Sequence, residues 1–204
     1  TDSVYIKRMA RGHISRQNPE PGSHVKKGRR ILLTINSVNP QMVDMPDLVG
    51  YSLRQAKTEI ISSGLTVGKL IYREDIATNN VLAQMVGRDT IAPGVKVETD
   101  TPIDLVLGMN ITDTVTYIPN VMGYKLMLAK DLLQDNSLNI KKISFDETVL
   151  DYSDSLNAMV YQIPDYSDSI QYRLGTGVEI HLTKDQSKIV IEESTEEGNT
   201  QEEE

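Results

Sequence analysis

Two stretches of this chain space their aliphatic residues as one face of a helix. Leu53, Ala56 and Ile60 fall at i, i+3 and i+7, and Leu126, Ala129 and Leu133 repeat that spacing 73 residues later. Leu65 and Leu138 follow each helix at the same offset. Ser52 followed by Gln55 has the capping-box pattern, in which the hydroxyl and the amide side chain satisfy early helix amides. Gly64 stands where a left-handed residue would end the first helix, and Asn136-Ser137 takes that place in the second. Extended runs then cover 65–72 and 138–145. The segment 103–107 (Ile-Asp-Leu-Val-Leu) alternates at period two and predicts a strand, as does 31–35 (Ile-Leu-Leu-Thr-Ile).

The repetition extends beyond the helices. Met45-Pro46-Asp47-Leu48-Val49-Gly50-Tyr51 aligns with Ile118-Pro119-Asn120-Val121-Met122-Gly123-Tyr124 at the same 73-residue offset. A second half-motif occurs three times: Gln17, Val25, Gly28 and 31–35; Gln84, Val97, Asp100 and 103–107; Gln162, Leu174, Gly177 and 180–182. Asp100, standing where the others carry Gly, predicts a turn that tolerates other residues. Pro21-Gly22 and Pro93-Gly94 precede the first two instances, whereas the third has Gln171 instead. The third unit is also about five residues longer between Phe145 and Gln162. The unit is therefore helix, strand, loop, strand.

This order resembles the PASTA repeat family, named for penicillin-binding proteins and serine/threonine kinases: Pro-Asp/Asn-aliphatic-x-Gly, amphipathic helix, Gly-Leu, strand, Gln, Pro-Gly, Val, turn, strand. The resemblance implies an α+β chain of tandem small domains, each with one helix on a roughly three-stranded sheet, strung like beads. Residues 1–37 are expected to be the C-terminal half of a truncated first repeat. Residues 38–110 and 111–184 are the second and third repeats, and 185–204 form an acidic tail expected to be disordered. The resemblance further implies a non-catalytic module of the bacterial cell envelope, outside the cytoplasmic membrane. Its expected partners are peptidoglycan fragments (muropeptides) or another envelope protein. A spacer or protein-docking arm is the alternative, and the sensor ectodomain of a Ser/Thr kinase or penicillin-binding enzyme the lesser one. No ligand-contacting residue of the family can be matched to this sequence.

Composition fits small aliphatic cores: aromatics make up 5%, with no Trp and a single Phe. The net charge of −8 is unevenly distributed. Residues 1–37 carry +6, residues 38–191 carry −7, and 192–204 carry −7 from seven Glu. Such a tail cannot bury a core. Cysteine is absent, which removes disulfide and thiolate chemistry. No apolar run approaches a membrane span and no signal-like segment opens the chain, so any anchor is expected upstream.

Candidate chemistry is sparse. His13, His24 and His181 have no metal-ligand spacing, and His181 is expected on a strand face opposite Ile180 and Leu182. Gly175-Thr176-Gly177 precedes a strand rather than a helix and reads as a turn, not a phosphate loop. Asp-Tyr-Ser-Asp-Ser occurs at both 151–155 and 165–169, suggesting two acidic loops with Tyr faces suited to sugars, a cation or a partner. Neither copy has the calcium-loop pattern. The cluster Lys7, Arg8, Arg11, Arg16, Lys26, Lys27, Arg29 and Arg30 could meet an anionic polymer or membrane surface. Tyr5 alone accompanies it, which disfavours nucleic acid. No catalytic residue, cofactor or metal site is expected; a kinase or acyl-transfer signature is absent from these residues.

Overall fold

A computed structural model of the 204-residue chain describes residues 2–4, 12–37, 41–150, 152–164, 166–167 and 169–189. It separates into two compact units. One comprises 1–71 and 79–108, the other 72–78 and 109–204. The chain is α+β, built from small sheets and short helices.

The first repeat is a three-stranded sheet of β1 (Asp2–Val4), β2 (Ile14–Asn18) and β3 (Leu32–Asn36), in the order β1-β3-β2. β1 runs parallel to β3 and β2 antiparallel to it. The sequence predicts a strand only at 31–35 in this segment, so its sheet is more complete than expected. Among the described residues no helix covers it. Ile14 and Ile31 are 54% and 50% exposed, while their counterparts in the next repeat, Val81 and Ile103, are fully buried.

The second repeat opens with β4 (Met42–Asp44), followed by α1 (Leu53–Ser62), β5 (Thr66–Glu74), β6 (Val81–Val86), β7 (Asp89–Thr90), β8 (Lys96–Glu98) and β9 (Pro102–Met109). α1 starts at the expected capping box: the Ser52 hydroxyl accepts from the Gln55 N–H, and the Gln55 carbonyl oxygen accepts from the Ser52 N–H. It ends at Gly64, whose φ of 76° is the left-handed stop. Leu53, Ala56 and Ile60 face inward and are buried with Leu65, Val81, Ile103, Leu105 and Leu107. The sheet order is β5-β9-β6-β7, and β4 pairs separately with β8.

The third repeat comprises β10 (Val115–Thr116), α2 (Leu126–Asp135), β11 (Asn139–Phe145), α3 (Tyr152–Asn157), β12 (Met159–Gln162), β13 (Tyr172–Arg173) and β14 (Gly177–Thr183). Its sheet order β11-β14-β12 is that of β1-β3-β2, and β10 pairs with β13 as β4 does with β8. Ala129, Leu133, Leu138, Val160, Val178, Ile180 and Leu182 form its core.

The ladders and turn bonds give the repeat alignment residue by residue. Asp100 N–H donates to Gly64 O, and Gly175 N–H donates to Ser137 O. Asp100 thus corresponds to Gly175, not to Gly177 as sequence spacing suggested. Both are left-handed, with φ of 59° and 82°, so the turn does require that conformation. Gly177 instead lies in β14, where an added Cβ would stand 2.8 Å from Lys141 Cβ.

The Gln motif shifts too. Val81 pairs with Leu107 and Gln84 with Leu105; Val160 pairs with Leu182 and Gln162 with His181. The counterpart of Gln84 is therefore Ile163, one residue later than the sequence match. Leu138 and Val160 are six residues further apart than their counterparts Leu65 and Val81, the same length as α3, so the added segment is helical and not the loop expected for 151–155. The folded part also runs past residue 184, because Gln186–Lys188 form a 3₁₀ turn capped by Asp185.

Candidate functional site

The outward face of α1 and the loop before it hold one candidate. Gly50 turns the chain at φ 85°, and Tyr51 follows at 43% exposure. The helix then presents Arg54, Gln55, Thr58 and Glu59 on the side away from Leu53, Ala56 and Ile60, as helical periodicity requires. These five side chains line a shallow open depression of about 470 Å³. It offers an aromatic face, a guanidinium, a carboxylate, an amide and a hydroxyl within one concavity. The equivalent surface of α2 keeps Tyr124 but has Met127 and Leu128 in place of Arg54 and Gln55, and Met127 is 73% exposed. α2 also lacks a side-chain cap, since Lys125 stands where Ser52 caps α1.

A second polar group lies on the outer face of the third repeat's sheet. His181 alternates with Ile180 and Leu182, as sequence reading expected, and sits 2.9 Å from the Glu179 carboxylate through Nε2. Lys142 Nζ donates to the same carboxylate at 2.7 Å. These two contacts hold Glu179 down to about 2, Lys142 contributing most. The Tyr161 ring is tilted by 56° to His181, with centroids 6.2 Å apart, and Lys188 Nζ lies 5.9 Å from the Tyr161 centroid. The same Lys188 donates to Asp146 at 2.7 Å and to Glu147 at 3.1 Å. Burial works to raise the pKa of Asp146. The hydrogen bonds from Lys188, Thr148 and Thr183 outweigh it and leave the carboxyl well below its usual range. Lys188 is raised by the same pairing. Every member of this cluster is matched by another, which makes it a clamp holding residues 184–188 against the third repeat.

The remaining sequence candidates do not converge. Among the described residues, no group of three or more His, Cys, Asp or Glu side chains is placed to hold a metal ion, and His13 and His24 lie in the first repeat, away from such a set. Gly175 and Thr176 form the turn before β14. Tyr152 begins α3, and Asp154 within it accepts from Leu150 N–H and pairs with Lys184. Asp151, Asp165 and Asp168 lie outside the described residues, as do Lys7, Arg8, Arg11 and the acidic segment 190–204. Arg16, Lys26, Lys27, Arg29 and Arg30 are described and exposed. No described helix is long and apolar enough to cross a membrane.

The Tyr51–Glu59 surface was missed because outward helix positions carry no chemical motif; only the polar spacing opposite the apolar stripe marks it. The Lys188–Asp146 pair joins residues 42 apart and left no local trace.

The architecture defines a small α+β repeat in which a short helix accompanies a small sheet, with the first strand parallel to the central one in the first and third repeats. Residues 43–109 match the family model of the PASTA domain, which identifies this segment as a PASTA domain. It is 27% identical over 115 residues to a probable serine/threonine-protein kinase of Corynebacterium efficiens, covering 56% of this chain and 17% of that one. A probable serine/threonine-protein kinase of Streptomyces coelicolor is 28% identical over 128 residues, covering 61% and 18%. The chain thus spans less than a fifth of either relative. Among solved structures it is similar to the extracellular region of the Ser/Thr kinase PrkC from Staphylococcus aureus. That match has a TM-score of 0.38 and 16% identity, covering 90% of this chain and 61% of that one. The three-PASTA-domain segment of a Ser/Thr kinase from S. aureus matches at a TM-score of 0.32 and 17% identity, covering 90% and 86%.

Proposed function

We propose that this chain is a non-catalytic, extracytoplasmic recognition segment of a cell-envelope protein, and that its second repeat binds peptidoglycan fragments. The observation that carries the reading is the concavity of Tyr51, Arg54, Gln55, Thr58 and Glu59 on the PASTA segment. A muropeptide presents sugar rings, acetamido groups and stem-peptide carboxylates. Tyr51 supplies a stacking face for the sugar. Arg54 can take a carboxylate in its planar fork, and Gln55, Thr58 and Glu59 meet amides and hydroxyls. The open shape favours modest affinity, as binding energy depends on burying such contacts.

Titration with a purified muropeptide, followed by amide NMR, tests this. Shifts confined to residues 51–59, weakened about tenfold by Arg54→Ala as one lost charged hydrogen bond implies, support the reading. Saturating muropeptide without shifts there, and no enrichment of the chain on purified sacculi, would overturn it.

The exposed Met127 and Leu128 favour a second role for the third repeat, as a docking arm for another envelope protein. The similarity to two probable kinases supports placing the segment in the sensor region of such an enzyme.

A further inference from the structure

The turn between β2 and β3 departs from its counterpart in the second repeat in a concerted way. Every residue from 20 to 32 is exposed. Gly28, at φ 83°, and the bond from Arg29 N–H to Lys26 O close a turn equivalent to the one at Asp100, where Thr101 N–H donates to Glu98 O. Lys26, Lys27, Arg29 and Arg30 therefore occupy the places of Glu98, Thr99, Thr101 and Pro102. Next along the chain, Leu32 corresponds to Asp104 and Glu179, the outward-facing carboxylates of the other repeats. It is 55% exposed. Arg16 belongs to the same outward face, since Asn18 pairs with Leu32 and Arg16 with Thr34.

Relative to the second repeat, four cations have been gained, the carboxylates of Glu98 and Asp104 lost and an apolar side chain added. Among the described residues no carboxylate forms an ion pair with Arg16, Lys26, Lys27, Arg29 or Arg30. Core packing does not account for Leu32, because that position faces outward in all three repeats. Val25, immediately before the cations, is 47% exposed where its counterpart Val97 is buried, and so presents a second apolar group.

We infer that this turn is a membrane-surface contact that recognises anionic phospholipid. Four cations within five residues suit a headgroup layer of negative charge, and Leu32 and Val25 can enter the headgroup–acyl boundary beside them. A soluble polyanion would satisfy the cations but gain nothing from the apolar pair. The net charge of −8 does not oppose this, because screening limits the interaction to roughly 10 Å and the turn carries its own local charge.

Partition of the full 204-residue chain onto phosphatidylglycerol-containing vesicles, against pure phosphatidylcholine vesicles, reads the contact directly. Each lost cation should lower the partition coefficient about fivefold, so Lys26→Gln with Arg29→Gln should lower it roughly 25-fold. Leu32→Ser, which leaves the charge unchanged, should lower it several-fold. Amide spectra confirm that the variants remain folded. Absence of binding to the anionic vesicles at low salt overturns the inference, as does equal binding by the charge variant. Binding that is indifferent to Leu32 and abolished by soluble polyphosphate overturns the lipid assignment in favour of a general polyanion.

Discussion

Gln84 offers a direct test of how the second repeat is held together. Its side chain is 1% exposed. The carbonyl oxygen accepts from Leu48 N–H at 2.9 Å, and the amide nitrogen donates to Pro46 O at 3.0 Å and Ile91 O at 3.1 Å. One side chain thus ties the Pro-Asp-Leu entry to the β6–β7 hairpin. Gln84→Leu preserves most of the volume but strands the buried Leu48 N–H and removes a donor from two carbonyls. An unpaired buried amide costs about 1–3 kcal/mol, so a total of about 3 kcal/mol is expected. That is a large share of the roughly 5–15 kcal/mol that holds a small domain.

Native-state hydrogen exchange isolates the second repeat: amides in β6 and β9 should lose about two decades of protection while those in β14 keep theirs. Gln162→Leu is the control, because Gln162 is exposed and should change stability by less than about 0.5 kcal/mol. If Gln84→Leu left protection unchanged, or if both variants cost the same, the residue-by-residue alignment of the repeats would be wrong.

Further expectations concern caps, turns and charge. Ser52→Ala should destabilise the second repeat by about 1 kcal/mol and Lys125→Ser should stabilise the third by a few tenths, both read from urea midpoints. Asp100→Gly should gain up to about 0.5 kcal/mol, since a side chain at φ 59° carries strain that Gly lacks, partly offset by unfolded-state entropy; a loss of stability would contradict the turn geometry. Gly68→Ala should cost about 1–2 kcal/mol, because the new Cβ would stand 3.0 Å from the Ile103 carbonyl and collide with the Asp104 carboxylate that accepts from Lys69 N–H. For pH, the carboxyls of Asp146 and Glu179 are depressed in the folded state, so their contribution is present above the ordinary values of 3.8 and 4.5. It is lost as pH falls from there through about 2 and below. Asp146→Asn should lower stability at pH 6 and flatten the acid dependence of the third repeat's urea midpoint; slopes equal to the parent would remove the assigned role of the Lys188 clamp.

The sequence alone revealed the α+β repeat because its signals are local. Leu53, Ala56 and Ile60 declare a helix face through the 3.6-residue period, Ser52 and Gln55 mark its start, and Gly64 its stop. Alternation in 103–107 declares a strand in the same way. Tertiary structure alone decided which residues correspond across the repeats, because α3 lengthens one connection and the span from Val160 to Leu182 is shorter than that from Val81 to Leu107, without changing the ladder. It also decided that β1 completes the first sheet and that Lys188 closes on Asp146 across 42 residues. Parallel pairing and long-range ion pairs depend on chain closure in space, and no window along the sequence contains both partners.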